Sequence, residues 1–123
     1  IVWDFNRYQP DVVTVCLGQN DGIQPLDSFC INYHAFLVRL RQYYPKARII
    51  CLTSPMADDA LRHFMRTAIE RVLQQRWNEG DRQITSFVFE RAYTSGCDYH
   101  PDVNEHAEIA NALTAFIKKT MGW

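Results

Sequence analysis

Two short segments combine residues that can do chemistry with a backbone able to aim them. The first is Gly18-Gln19-Asn20-Asp21-Gly22. Glycine lets a chain turn sharply, and an Asn held after such a turn can point its amide N–H groups into a cleft, where they stabilise a developing oxyanion. The same Asn-Asp-Gly run also suits an ordinary turn. The second segment is Gly96-Cys97-Asp98-Tyr99-His100-Pro101. An imidazole titrates near neutrality, Pro101 restricts the backbone of His100, and an acidic residue precedes it closely, a setting for a general base. Asp-x-His-Pro reads equally as a capped helix entrance. Tyr99 either lines an acyl or sugar pocket or packs as an aromatic.

Such loops need a scaffold, and the hydrophobic periodicity supplies one. Val12 to Leu17 is a nearly continuous, β-branched apolar run ending at Gly18, which predicts a strand covered on both faces. Phe29, Tyr33, Phe36, Leu37, Leu40 and Tyr44 then recur at helical spacing, with Asp27 or Ser28 as cap and Pro45 as stop. Ala47 to Thr53 predicts a second strand. Leu61, Phe64, Met65, Ala68, Ile69, Val72 and Leu73 predict a second helix between a cap at Asp58 or Asp59 and Gly80. Ile84 to Phe89 reads as a third strand, and after a loop from Thr94 to Pro101 comes a helix whose stripe is His106, Ala110, Leu113 and Ile117. Strands alternating with helices imply right-handed crossovers and a parallel sheet between helix layers. In such α/β sheets ligands bind beyond the carboxyl ends of the strands, where both chemical segments fall. The only candidate linker is the first ten residues, and Trp3 and Phe5 within it read as packing anchors.

Composition bounds the function classes. The 123 residues, 47% hydrophobic and 22% charged, describe one folded domain. Thirteen Lys and Arg against fourteen Asp and Glu give a net charge of -1, too little positive charge to favour nucleic acid or an anionic membrane as partner. No apolar run approaches the ~20 residues of a membrane-spanning helix. Cys16, Cys30, Cys51 and Cys97 form no C-x-x-C pair, and His100 and His106 lack metal-ligand spacing, so neither a metal nor any other cofactor is expected. Cys16 and Cys51 read as small apolar strand residues, while a Cys30–Cys97 disulfide is one open pairing. His34 and His63 read as helix residues without a catalytic task. The chain opens Ile1-Val2-Trp3 without methionine, which reads as a piece of something longer.

The block Leu17-Gly18-Gln19-Asn20-Asp21 after a buried strand resembles the Gly-x-Asn-Asp block of the SGNH, or GDSL-type, hydrolases. Gly96 to Pro101, followed by Asn104-Glu105-His106, resembles their His-Pro block before the last helix. The likeness covers essentially the whole chain and is greatest to carbohydrate esterases that remove acetyl groups from xylan and related glycans. It implies a three-layer α/β/α, flavodoxin-like fold with a parallel sheet, of which residues 1–123 are the C-terminal part and the N-terminal strands are missing. It also implies Ser-His(-Asp) catalysis on an acetylated carbohydrate, without cofactor, and a secreted or periplasmic location. Asn20 matches the side-chain oxyanion donor, Gly18 the glycine that starts its block, and His100 the catalytic base.

The chain departs from the pattern in two ways. Family members mostly carry an Asp three positions before the His. Here that position is Cys97, and Asp98 stands nearer, so Asp98 orients His100 through its carboxylate or through its backbone carbonyl. No Gly-Asp-Ser block is present, and Ser28, Ser54, Ser86 and Ser95 lie in the wrong context for a nucleophile. An N-terminal segment or a second chain is therefore expected to complete the sheet. A non-catalytic, carbohydrate-binding remnant of the fold and a lipase or phospholipid esterase of the same superfamily are the alternatives.

Overall fold

Burial on both faces singles out the middle strand. The computed structural model describes residues 3–123. Ile1 and Val2, the start of the candidate linker, lie outside the described residues. β1 (Val12–Cys16), β2 (Arg48–Leu52) and β3 (Ile84–Phe87) form a parallel sheet in the order β1-β2-β3. α1 (Leu26–Tyr43) joins β1 to β2, α2 (Asp59–Asn78) joins β2 to β3, and α3 (Val103–Met121) closes the chain. Side chains alternate across a strand. Ile49 and Cys51 accordingly pack among Tyr33 and Leu37 of α1 and Ala68, Ile69 and Val72 of α2. Ile50 and Leu52 pack on the opposite face with Ile109, Leu113, Phe116 and Ile117 of α3. The result is the expected three-layer α/β/α arrangement, with β2 at its centre.

Local chemistry sets the element ends. Asp58 caps α2, its Oδ1 accepting from the Leu61 N–H at 2.8 Å, an interaction whose loss typically costs ~1 kcal/mol. Gly80 then takes the left-handed conformation that ends α2, at φ 95°. The cap expected at Asp27 or Ser28 is not formed. α1 starts at Leu26 after Pro25 without a side-chain cap, because Asp27 already lies in the first turn and pairs with Arg71 of α2 at 2.6 Å. The strands are shorter than the apolar runs, since Leu17, Thr53 and Phe89 belong to the loops beyond them. The α3 stripe also differs. His106 and Ala110 are exposed, and Ile109 and Phe116 occupy the core side instead.

The β1 side of the sheet is less covered than the rest. Val13 and Val15 turn towards α1 and α2, but Thr14 and Cys16, on the α3 face, are exposed. Cys16 is thus not the buried apolar residue its strand suggested. α3 reaches β2, β3 and the start of β1 only. Before β1, Phe5 stacks on Tyr43 with ring centroids 3.8 Å apart, which makes it the expected anchor. Trp3 is 60% exposed and anchors nothing. All four cysteines are free: Cys30 is buried with its thiol 3.8 Å from the Ala68 carbonyl and Cys97 is exposed, so the Cys30–Cys97 pairing is not made.

Candidate active site

The register brings the two chemical segments to one edge. Cys16 pairs with Leu52 and Leu52 with Phe87, so the three strands end level and the loops after them emerge side by side. Asn20 follows β1 and His100 lies in the loop between β3 and α3, and the two strands themselves are two inter-strand spacings, about 10 Å, apart. Between them the loop after β2 acts as a brace. The Thr53 hydroxyl accepts from the Phe89 N–H at 3.0 Å, the Cys16 thiol lies 3.8 Å from the Thr53 carbonyl, and the Tyr93 N–H donates to the Pro55 carbonyl at 2.8 Å.

The Asn20 loop is a turn built on glycine. Gly18 has φ 102°, and a Cβ there would come within 3.2 Å of the Phe29 ring, so both conformation and space require glycine. The Gly22 N–H donates to the Gly18 carbonyl at 3.2 Å and closes the turn, leaving Asn20 exposed at its tip. Beside it, Gln19 Oε1 is buried without a hydrogen-bond partner. A cleft of about 330 Å³ lies alongside, lined by Leu17, Asp21, Gln24, Phe29, Tyr33 and Phe36.

The His100 loop is tighter. Asp98 and Tyr99 both adopt positive φ, 51° and 58°, which costs non-glycine residues energy and marks a functional or constrained site. This pair turns the Asp98 carbonyl back onto the imidazole, with His100 Nδ1 at 2.9 Å. A carbonyl can only accept, so Nδ1 carries the hydrogen and Nε2 keeps its lone pair free to act as a base. Of the two routes open to Asp98, the one formed is the backbone carbonyl. Tyr99 is 81% exposed and is not a packed aromatic.

Residues that sequence reasoning passed over hold this loop. The Gly96 N–H donates to the His100 carbonyl at 2.7 Å, and a Cβ on Gly96 would meet that oxygen at 2.8 Å. Glu105, 5% exposed, accepts from the Ser95 N–H (2.9 Å), the Ser95 hydroxyl (3.0 Å), Arg91 (3.1 Å) and the Asp102 N–H (3.2 Å). Burial alone would raise its pKa, but the Ser95 N–H, Arg91, the Ser95 hydroxyl and the Asp102 N–H outweigh it and pull the carboxyl from 4.5 to about 2. Arg91 in turn lies over the Tyr93 ring at 3.8 Å and pairs with Glu108. The available signal was the capping box Asp102-x-x-Glu105, whose two hydrogen bonds both form.

The serines have other tasks. Ser54 is buried with its hydroxyl accepting from the Met56 N–H, and Ser95 donates to Glu105. Among the described residues no serine is hydrogen-bonded to His100, and no group of three His, Cys, Asp or Glu is placed to hold a metal ion. His34 bonds Glu79 at 2.8 Å, tying α1 to the end of α2 far from the loops. His63 is exposed on α2.

No family model matches the chain. The cellulase/esterase CelE of Acetivibrio thermocellus is 32% identical over 127 residues, covering 98% of this chain and 16% of that protein. An acetylxylan esterase / glucomannan deacetylase of Cellvibrio japonicus is 26% identical, over 98% of this chain and 34% of its own length. A solved family two carbohydrate esterase from Clostridium thermocellum, in complex with cellohexaose, matches with a TM-score of 0.89 at 32% identity, covering 98% of this chain and 39% of that chain. One from Cellvibrio japonicus gives 0.90 at 25% identity, covering 98% and 36%. This chain therefore spans well under half the length of these relatives. In sequence and in fold, its homologues and structural neighbours are family two carbohydrate esterases, acetylxylan esterases among them.

Proposed function

We propose that this chain is the C-terminal part of a serine esterase domain that removes O-acetyl groups from carbohydrate. The observation that carries the reading is the 2.9 Å contact between His100 Nδ1 and the Asp98 carbonyl, which leaves Nε2 as a base at the sheet edge that also bears Asn20. The likeness to carbohydrate esterases supplies the reaction class. A serine from a preceding segment attacks the acetyl carbonyl while His100 Nε2 takes its proton, and the Asn20 amide donates to the oxyanion. Collapse of the tetrahedral intermediate breaks the ester bond, and His100 returns the proton to the departing sugar oxygen. Water, deprotonated by His100, then releases acetate and restores the serine.

The partner that completes the domain fits the open side of the sheet. The outer edge of β1 has no strand on it among the described residues, and Thr14, Cys16 and Leu17 beside it are exposed. A preceding segment of the same polypeptide would add strands there and bring the nucleophile to the Asn20 loop. Among the described residues no helix is long and apolar enough to cross a membrane. A secreted or periplasmic location suits a polysaccharide substrate too large to enter a cell.

The test is acetate release from acetylated xylan and acetylated oligosaccharides by the complete protein, beside long-chain acyl esters. Turnover on the acetylated sugars that disappears in His100→Ala is the expected result. Preference for long acyl chains would move the reading to a lipid esterase, and binding without turnover would leave a carbohydrate-binding remnant. Hydrogen exchange checks the completion of the sheet: β1 amides should be protected in the complete protein and exchange readily in the 123-residue chain.

A further inference from the structure

His100 is exposed and its loop runs through two left-handed residues, a conformation that persists only where the surroundings impose it. The loop itself contains little that could impose it. Cys97, Asp98 and Tyr99 are exposed, and the internal backbone bonds are two, from the Gly96 N–H to the His100 carbonyl and from the His100 N–H to the Cys97 carbonyl. What fixes its two ends is one carboxylate. Glu105 Oε2 accepts from the Ser95 N–H before the loop and from the Asp102 N–H after it, at 2.9 and 3.2 Å, while Oε1 takes the Ser95 hydroxyl and Arg91. One oxygen thus pins the chain on both sides of His100, and the charged group is satisfied by four donors although it sits in a buried position.

We propose that Glu105 is a positioning residue for His100, holding residues 95 and 102 together so that the Asp98 carbonyl stays on Nδ1 and Nε2 stays bare. Arg91 serves the same end: stacked on Tyr93, which is tied to the Pro55 carbonyl, it registers Glu105 against the loop that follows β2. A helix cap accounts for the Asp102 N–H bond to Glu105, the second half of the capping box, but not for the bonds that the same carboxylate accepts from Ser95 and Arg91. The Asp102 side chain already caps α3 by accepting from the Glu105 N–H at 2.8 Å, and that bond needs no Glu105 carboxylate.

The role of His100 as catalytic base rests on the esterase reading, but its tautomer does not, and the experiment uses both. In the complete protein labelled with ¹⁵N-histidine, the neutral His100 ring should be the Nδ1–H tautomer. Glu105→Ala should shift it towards Nε2–H and lower kcat on an acetylated sugar about 10²-fold, the scale on which small misplacements of a reacting group are felt, with KM within about twofold. Asp102→Ala, which removes the cap and spares the carboxylate, should leave the tautomer unchanged. An Asp102→Ala tautomer shift equal to that of Glu105→Ala would overturn the proposal in favour of helix stability, as would a wild-type tautomer and kcat in Glu105→Ala. Should Glu105→Ala not fold, Glu105→Gln keeps one acceptor oxygen and should show the same changes in smaller measure, and its failure to do so overturns the proposal. A wild-type protein without esterase activity whose tautomer still moves in Glu105→Ala would sink the esterase reading and leave the positioning role standing.

Discussion

The two loops that carry the candidate chemistry share one edge of one sheet and are built in opposite ways. The His100 loop is exposed at its tip but held at its ends by its own chain: Gly96 bonds the His100 carbonyl, a carboxylate bridges Ser95 and Asp102, and a capped helix follows. The Asn20 loop has one backbone bond across its turn, an exposed Asn at the tip and a buried, unpartnered Gln19 oxygen. The difference follows position in the sheet. β1 and β3 are both edges of the described sheet, but α3 folds over β3 and leaves the same face of β1 open beyond its start.

That contrast can be broken most sharply at His100. In the complete protein His100→Ala should lower turnover on an acetylated sugar by at least ~10³-fold, because it removes the imidazole that takes the serine proton. Steady-state kinetics with a cleanly folded variant that keeps a tenth of wild-type activity would remove His100 from the mechanism. Asn20→Ala comes next. Loss of one oxyanion donor should cost ~10²-fold in kcat with KM little changed, and an unchanged kcat would make the Asn20 loop an ordinary turn.

Substituting glycine sharpens the structural half of the comparison. Gly96→Ala places a Cβ against three backbone atoms at 2.8 to 3.1 Å that cannot swing aside. It should destabilise the chain by ~1–3 kcal/mol in denaturant unfolding and perturb the His100 ring signals, whereas Gly22→Ala meets nothing within 4 Å and should strain only the turn backbone.

Acid should separate the loops as well. The carboxyl of Glu105 is pulled below its unfolded value, so its contribution is fully present above about pH 4.5 and is lost as the pH falls through about 2. Protection of the Ser95 and Asp102 amides, read against the intrinsic exchange rate at each pH, should therefore fall across that window, while that of the Gly22 amide, which bonds a backbone carbonyl, should hold. Equal pH dependence at the two loops would undo the comparison. The smallest effect belongs to Asp98→Asn. Asn tolerates the left-handed conformation and keeps the backbone carbonyl, so activity should stay within about threefold of wild type. A loss of ~10²-fold or more would return the orienting role to the carboxylate.

How far the sequence could be read depended on how local the signal was. Strand and helix order, the parallel sheet and the placement of Asn20 and His100 on loops at one edge all follow from periodicity and from glycine, proline and capping residues close in sequence. The misjudged details were those that depend on neighbours. His106 fits the α3 stripe by spacing and is exposed, while Ile109 and Phe116 join Leu113 and Ile117 on the core. Cys16 sits in an apolar strand but on the face that nothing described covers.

The sequence by itself determined an α/β chain with a histidine and an asparagine in loops after different strands, because helical and strand periods are written in consecutive residues. Tertiary structure alone decided that Asp98 reaches His100 through its carbonyl, that Glu105 joins both ends of that loop, and that the β1 side stands open. Those facts arise where a left-handed backbone pair, an arginine beyond β3 and the first turn of α3 converge in space, and no local pattern encodes such a meeting.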